Sequence, residues 1–275
     1  MLLAIVAMPI RCLPMLLLLA LPLSAGPPAP PPLVWVFNGI PGDDPHKAFY
    51  EKNLAGLKGA LRDRHGVPEA DIRIFYGPED SGYAGICTRE RLLEQCKLIS
   101  AHTRQPGARP VWLVLMGHAN NYPGGAMFNL AGPDVSAKEL GTALAEANPA
   151  TPMTIWVTTT CGGPFLKALA KPGRIVCSAS SPQDAENETE FPHAFIAALA
   201  DDATDADRDG LVSVTELFVA TNARVLQTYE QGGFIVKEHA QLDGDGDGRG
   251  TSRPAAIDAE PASRQGLARA SGSFQ

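Results

Sequence analysis

The hydrophobic residues of this chain form short continuous runs rather than alternating patterns. Five of these runs are rich in β-branched and aromatic side chains. They are Leu33–Phe37, Ile72–Tyr76, Val111–Met116, Met153–Thr159 and Arg174–Ser178. Continuous hydrophobicity over this length indicates strands that are buried on both faces.

Segments with helical spacing lie between these runs. Thr88 is predicted to cap one helix, Ser136 and Glu139 form the capping-box pattern of another, and a short helix is predicted around Phe165–Leu169. Apolar positions at helical spacing are Phe49, Leu54, Leu57, Leu61, Leu92, Cys96 and Ile99. Because strands and helices alternate, the sequence predicts an α/β fold with a mainly parallel sheet and helices on both faces.

The first residues have the composition of a targeting segment. Residues 1–26 hold one charge, Arg11, ahead of the apolar run Met15–Leu23 and the small residues 24–26. This arrangement is typical of a secretory signal peptide. A membrane anchor is the competing interpretation, but a spanning helix needs about 20 apolar residues, and prolines interrupt this run. We therefore predict a secreted or periplasmic protein without a stable membrane anchor.

The rest of the chain divides into three segments. Residues 27–32 are predicted to be a proline-rich spacer, residues 33–250 one domain, and residues 251–275, which show no periodicity, a disordered tail. Export would permit disulfides among the four cysteines of the domain. Cys87 and Cys96 are the simplest pair to join.

The acidic residues are concentrated in two places. The net charge is −7, and eight aspartates fall within residues 201–209 and 243–247. An acidic chain without a basic patch argues against nucleic-acid binding. Two local clusters of carboxylates instead suggest that the protein binds cations.

The first cluster matches a complete twelve-residue EF-hand loop from Asp205 to Glu216. Carboxylates occupy positions 1, 3 and 5, glycine occupies position 6, and a glutamate suited to bidentate binding occupies position 12. The predicted Ca²⁺ ligands are Asp205, Asp207, Asp209, the carbonyl of Leu211, a water held by Ser213, and Glu216. Apolar faces on both sides predict an EF-hand helix–loop–helix, and the metal is expected to be structural.

The second cluster begins in the same way but ends differently. Asp243, Asp245 and Asp247 repeat the first three ligand positions, whereas position 12 is Pro254, which offers no side-chain ligand. We expect a weaker, partial calcium site here, and a plain glycine-rich loop remains the alternative.

Two predicted strands end in residues that carry chemistry. The third runs into Gly117 and His118, and the fourth into Thr160 and Cys161. Active sites of open parallel sheets form beyond the carboxyl ends of strands. If the two strands are neighbours, an imidazole lies beside a thiol, as nucleophilic catalysis requires.

These residues resemble the caspase–legumain clan of cysteine endopeptidases, and especially its bacterial secreted legumain-like members. His118 matches the catalytic histidine of the clan and Cys161 its nucleophile. Other segments that are similar to this group are Phe128–Asp134, Asn187–Pro192 and Glu238–Asp243. The resemblance implies a caspase-like three-layer sandwich and a peptide or protein substrate.

The resemblance also implies a mechanism. Cys161 would attack the peptide carbonyl, His118 would protonate the leaving amine, and the backbone N–H groups of Ala119 and Cys161 would hold the oxyanion. The sequence departs from the clan at Ala119, where glycine is usual, and at Gly162. These departures keep an alternative open, namely a catalytically inactive, secreted calcium-binding protein on a peptidase-like scaffold.

Overall fold

A computed structural model describes residues 30–79, 81–254 and 265–269 of the chain. The strands are β1 Leu33–Asn38, β2 Ile72–Tyr76, β3 Val111–Met116, β4 Ala119–Tyr122, β5 Gly125–Phe128, β6 Val135–Ser136, β7 Met153–Val157, β8 Arg174–Ser178, β9 Leu211–Ser213, β10 Gln241–Asp243 and β11 Gly266–Ala268. The helices are α1 Asp44–Asp63, α2 Arg89–Thr103, α3 Ala137–Ala143, α4 Gly163–Leu169, α5 Phe191–Ala200 and α6 Val214–Gly232. The predicted signal peptide and the first residues of the predicted spacer lie outside the described residues.

The central sheet has six strands in the order β10-β8-β7-β3-β1-β2. The five predicted strands all form, and they pair in parallel along the sheet. The sixth, β10, adds to the β8 edge in the antiparallel direction. The prediction of a mainly parallel α/β sheet is confirmed.

Helices cover both faces of this sheet. Along β3, Trp112 and Val114 lie in one buried cluster with side chains of α1, α5 and α6, whereas Leu113 and Leu115 lie in another with side chains of α2, α3 and α4. Successive side chains of a strand point to opposite faces. A strand that is covered on both faces must therefore be apolar throughout, as the sequence pattern required.

Local capping sets where several helices begin. Thr88 accepts the amide of Arg91 at the start of α2, and Ser136 and Glu139 form a reciprocal capping box on α3, so both predicted caps are confirmed. Asp43, which the sequence analysis did not identify, caps α1 by accepting the amide of His46.

The structure differs from the sequence analysis in three respects. Strands β4, β5 and β6 form a small antiparallel sheet that the sequence analysis missed because its strands are only two to four residues long. The predicted disordered tail contains β11, which pairs with β9 and buries Leu267 completely. Cys87 and Cys96 are free buried thiols rather than a disulfide, since both fill the apolar layer beneath α2.

The predicted EF-hand helices correspond to α5 and α6, which pack against each other. Phe195 and Phe218 are fully buried, in agreement with the predicted apolar faces, but Leu226 is 44% exposed. Val225 takes the buried position on α6 instead. Within the described ranges, no helix is long and apolar enough to cross a lipid bilayer.

Candidate active site and acidic loops

His118 lies at the carboxyl end of β3, between that strand and β4. The preceding Gly117 has a φ of +118°, and a side-chain carbon there would lie 3.2 Å from the amide nitrogen of Gly39. Glycine therefore allows the chain to turn out of the sheet close to the end of β1. The imidazole of His118 remains partly accessible, with 21% of its side chain exposed.

Cys161 lies at the carboxyl end of β7, just before α4. Strands β3 and β7 are neighbours, with Leu115 paired to Val157, so His118 and Cys161 leave the same edge of the sheet on adjacent loops. Cys161 has a φ of +50°, which is uncommon for a residue with a side chain. Strained backbone of this kind concentrates at functional sites. The cysteine is 6% exposed.

A pair of hydrogen bonds joins the two loops. The Thr160 hydroxyl accepts the Ala119 amide at 2.8 Å and donates to the Ala119 carbonyl at 2.7 Å. The contact brings the residue before Cys161 against the residue after His118. The Ala119 N–H, one of the two predicted oxyanion donors, therefore has a hydrogen-bond partner in this structure.

The thiol of Cys161 is held in its protonated form. Burial, with a further contribution from the negative charge of Glu186, raises its pKa to about 11. Although their loops are in contact, no hydrogen bond joins Cys161 to His118 among the interactions of the described chain. A base must therefore approach Sγ and remove its proton before the sulfur can act as a nucleophile.

The imidazole of His118 faces other polar groups. Its Nδ1 lies 3.2 Å from Oε1 of Glu188. The ring of His46 makes an edge contact with that of His118 at a centroid distance of 5.0 Å, and the ring of Tyr50 makes another at 6.0 Å. Sequence analysis missed both His46 and Glu188. Their positions could have identified them, because His46 lies in the segment after β1 and Glu188 in the segment after β8.

The segment of residues 179–190, here called the β8–α5 loop, lies over this edge of the sheet. Glu186 accepts the amide of Asn121 at 2.9 Å. Asp184 accepts the amide and Nδ1 of His239 at 2.8 and 2.7 Å. The loop therefore places Glu186 near Cys161 and Glu188 against His118.

Gly162 and Gly163 lie in tightly packed surroundings at the start of α4. A side-chain carbon on Gly162 would lie 2.6 Å from Oγ of Ser178, and one on Gly163 would lie 2.3 Å from the Pro182 nitrogen. The Gly162 amide also donates to Ser180 at 2.9 Å. Glycine is therefore needed at both positions, because neighbouring parts of the chain leave no room for a side chain.

The acidic loop of residues 205–216 folds around its own carboxylates. Oxygens of Asp205, Asp207 and Asp209 lie within 4.8 Å of one another. The amides of Asp209, Gly210 and Leu211 donate to Oδ1 of Asp207, Oδ2 of Asp205 and Oδ1 of Asp209. Asp205 is 4% exposed, and its Oδ1 has no hydrogen-bond partner.

Glu216 and Ser213 close this loop at the start of α6. Oε1 of Glu216 accepts the amides of Ala206 and Asp207, and its Oε2 forms a capping box with Ser213. The structure thus uses Ser213 as a helix cap, where the sequence analysis assigned it a bound water. Leu211, whose carbonyl is a predicted calcium ligand, pairs with Ala268 where β9 and β11 form a two-stranded sheet.

The second acidic loop repeats the hydrogen bonds of the first. Gly248 donates to Oδ2 of Asp243, and the amides of Asp247 and Arg249 donate to Oδ1 of Asp245 and of Asp247. Oxygens of the three aspartates again lie within 4.8 Å of one another. Both oxygens of the buried Asp243 accept backbone amides, so this loop lacks the free buried oxygen of the first.

Comparisons with known proteins give structural matches alone. No family model and no curated protein matches the sequence. The Drosophila initiator caspase Dronc matches with a TM-score of 0.47 and 16% identity, over 79% of this chain and 80% of that one. A protein of Geobacter sulfurreducens matches with a TM-score of 0.46 and 11% identity, over 78% and 93% of the two chains.

A third match is a secreted C11 cysteine protease from Bacteroides thetaiotaomicron, solved with an irreversible peptide inhibitor. It has a TM-score of 0.40 and 12% identity, over 77% of this chain and 66% of that one. The TM-scores of all three matches lie below 0.5. The likeness is one of fold and assigns no activity.

Proposed function

We propose that this protein is a secreted or periplasmic cysteine endopeptidase that uses Cys161 and His118 and is stabilised by calcium. The observation that carries the proposal is the placement of the two residues. Cys161, in strained left-handed backbone, and His118 follow neighbouring parallel strands. The hydrogen bonds between Thr160 and Ala119 hold their loops together.

The proposed reaction is acyl transfer to the cysteine. His118 takes the thiol proton as Sγ of Cys161 attacks the carbonyl carbon of the substrate peptide. The C–N bond then breaks, and His118 gives the proton to the leaving amine. Water hydrolyses the thioester, with His118 accepting its proton, which restores the free thiol and releases the acid.

Two rearrangements must accompany substrate binding. Glu188 must leave Nδ1 of His118, and the Thr160 hydroxyl must turn away from the Ala119 amide so that this N–H can stabilise the oxyanion. Glu188 is 65% exposed on the β8–α5 loop, so moving it exposes little apolar surface. A peptide lying across this edge would displace it.

The loop of residues 205–216 suits calcium as a structural ion. The support is the orphaned Oδ1 of Asp205, which is buried among three converging carboxylates and has no donor. A buried acceptor without a partner costs free energy that a cation would recover. Asp205, Asp207, Asp209 and Glu216 would supply hard oxygen ligands, which calcium prefers. The second loop is proposed as a weaker site.

A catalytically inactive calcium-binding protein is a second candidate function. Specific observations favour it, because the Ala119 donor is occupied, the thiol pKa is raised and His118 contacts Glu188 rather than the thiol. In that case the arrangement seen here would persist in the presence of peptides.

One experiment separates the two candidates. The mature protein is incubated under reducing conditions with a mixed fluorogenic peptide library and, separately, with a peptide that carries a thiol-alkylating group. We expect cleavage, alkylation at Cys161 by mass spectrometry, and loss of both in Cys161→Ala. Cleavage that survives in Cys161→Ala would contradict the nucleophile. Absence of cleavage and alkylation, with a calcium-dependent melting temperature, would establish the inactive scaffold.

A further inference from the structure

Three metal-binding side chains converge beside the proposed nucleophile. His46, His118 and Glu188 each offer one ligand atom, and these three atoms lie within 4.8 Å of one another. Both histidines are partly buried, and Glu188 lies on the more exposed side. The residues come from the start of α1, the end of β3 and the β8–α5 loop, so the tertiary structure alone assembles them.

The spacing of these atoms suits a tetrahedral transition metal. Zinc with bonds of about 2.0–2.1 Å holds its ligand atoms about 3.3–3.4 Å apart. Here the carboxylate oxygen of Glu188 lies 3.2 Å from Nδ1 of His118 and 3.7 Å from Nε2 of His46. All three ligand atoms lie within 4.8 Å of one another, so side-chain movements alone would place them at three corners of a tetrahedron.

Asp43 prepares His46 for this role. Its Oδ1 lies 2.5 Å from Nδ1 of His46, and the same oxygen accepts the His46 amide. This contact with the Asp43 carboxylate favours the proton on Nδ1 of His46. Nε2 is then left with a free lone pair facing the cluster. Carboxylates commonly orient metal-bound histidines in this way.

The donor set selects against calcium. Two imidazole nitrogens and one carboxylate oxygen suit zinc and related divalent transition metals, whereas calcium takes oxygen ligands. The acidic loops, which offer oxygen donors, are chemically distinct sites. Three protein ligands would leave the fourth position of a tetrahedral metal open for water or for a substrate group.

We propose that His46, His118 and Glu188 bind one divalent transition metal ion, with zinc as the representative, and that this ion inhibits the peptidase. The inhibitory part rests on the proposed function. A metal on Nδ1 of His118 removes the lone pair that proton transfer needs. It also ties the β8–α5 loop to His118 and covers the edge that a peptide must occupy.

The binding test uses the Cys161→Ala protein, so that the thiol cannot serve as a ligand, with calcium present to fill the acidic loops. The protein carries no metal-affinity tag. Zinc binding is measured by calorimetric titration, and cobalt binding by the visible absorption of the bound ion. We expect one zinc per chain and the strong visible bands of tetrahedral cobalt. His46→Gln and Glu188→Gln should each weaken binding by at least about 100-fold, and Asp43→Asn, which can still cap α1, by about 10–100-fold.

His193→Gln is the matched control, because His193 is an exposed histidine on α5 outside the cluster. It should leave the affinity unchanged. Equal zinc affinity in His46→Gln, Glu188→Gln and this control would overturn the site. A cobalt spectrum without tetrahedral bands would overturn it as well.

The activity test is kept separate. In the protein with Cys161 intact, micromolar zinc should suppress peptide cleavage, and a zinc-selective chelator that leaves calcium bound should restore it. Full cleavage with zinc bound would overturn the inhibitory role. Lack of cleavage in zinc-free protein would overturn the proposed function instead, and the titrations on Cys161→Ala would still decide the metal site.

Discussion

The candidate active site and the acidic loop of residues 205–216 gather polar side chains in opposite ways. The loop takes all its carboxylates from twelve consecutive residues and binds them with its own amides. The active site takes its groups from segments that follow β1, β3, β7 and β8, and these groups bind one another across the sheet edge. The loop is therefore a local unit, whereas each active-site group depends on the packing of the whole sheet.

This difference predicts that the two regions can be disabled independently, with the largest effect at the proposed nucleophile. Cys161→Ala should lower peptide cleavage by at least about 1,000-fold and leave the calcium-dependent rise in melting temperature intact. Cys177→Ala is the control on the neighbouring strand. It should keep cleavage but lower stability, because the fully buried Cys177 side chain would leave a small cavity. A calcium response lost in Cys161→Ala would show that the regions are coupled.

Glu238, in the segment between α6 and β10, gives the next largest effect. Its Oε1 accepts the amide of Glu190, which joins the β8–α5 loop to α5. Burial raises its pKa to about 7. The folded state thus holds this proton more tightly than the unfolded state, so stability should fall as the pH rises from about 4.5 to about 7 and then level off. The change should be roughly 3 kcal/mol.

Chemical denaturation on both sides of that pH window measures this change. Glu238→Gln cannot ionise, so its stability should not show this fall. An equal pH dependence in the variant and in the unmodified protein would assign the effect to other groups.

The calcium response should separate the two acidic loops. Calcium at 100 times the dissociation constant stabilises a single site by about 2.7 kcal/mol, which is about 5–10 °C in melting temperature for a domain of this size. Asp205→Asn should remove most of this shift, since it neutralises the buried carboxylate that has a free oxygen. Asp243→Asn should remove less, because its loop has no acidic twelfth residue. The reverse order in a thermal-shift titration would contradict the assignment.

The smallest predicted effect concerns the contact between the loops that carry His118 and Cys161. Thr160→Val leaves the Ala119 amide and carbonyl without their hydrogen bonds to the Thr160 hydroxyl and should cost about 1–3 kcal/mol. Thr159→Val is an isosteric control one residue away, where the buried hydroxyl has no hydrogen-bond partner. It should be neutral or stabilising, as measured by urea denaturation. Equal losses in the two variants would argue against a role for the Thr160 bonds.

Much of the fold was predictable because its signals are local. The five parallel strands, the Thr88 cap and the Ser136 capping box follow from runs and spacings within a few residues. The short strands β4 to β6 and the pairing of β11 with β9 were missed. Strands of two to four residues carry little periodicity, and their partners are set by packing.

For the candidate site, the sequence alone determined which residues end the strands and which carboxylates share a loop. His118 and Cys161 could be placed at one edge because parallel strands end together, and the aspartates of residues 205–209 could be grouped because their ligand positions are consecutive. Only the tertiary structure decided what those residues contact. Glu188 and His46 meet His118, and Thr160 binds Ala119, through segments far apart in the chain. Such contacts depend on loop paths over the folded sheet, and no local pattern of residues encodes them.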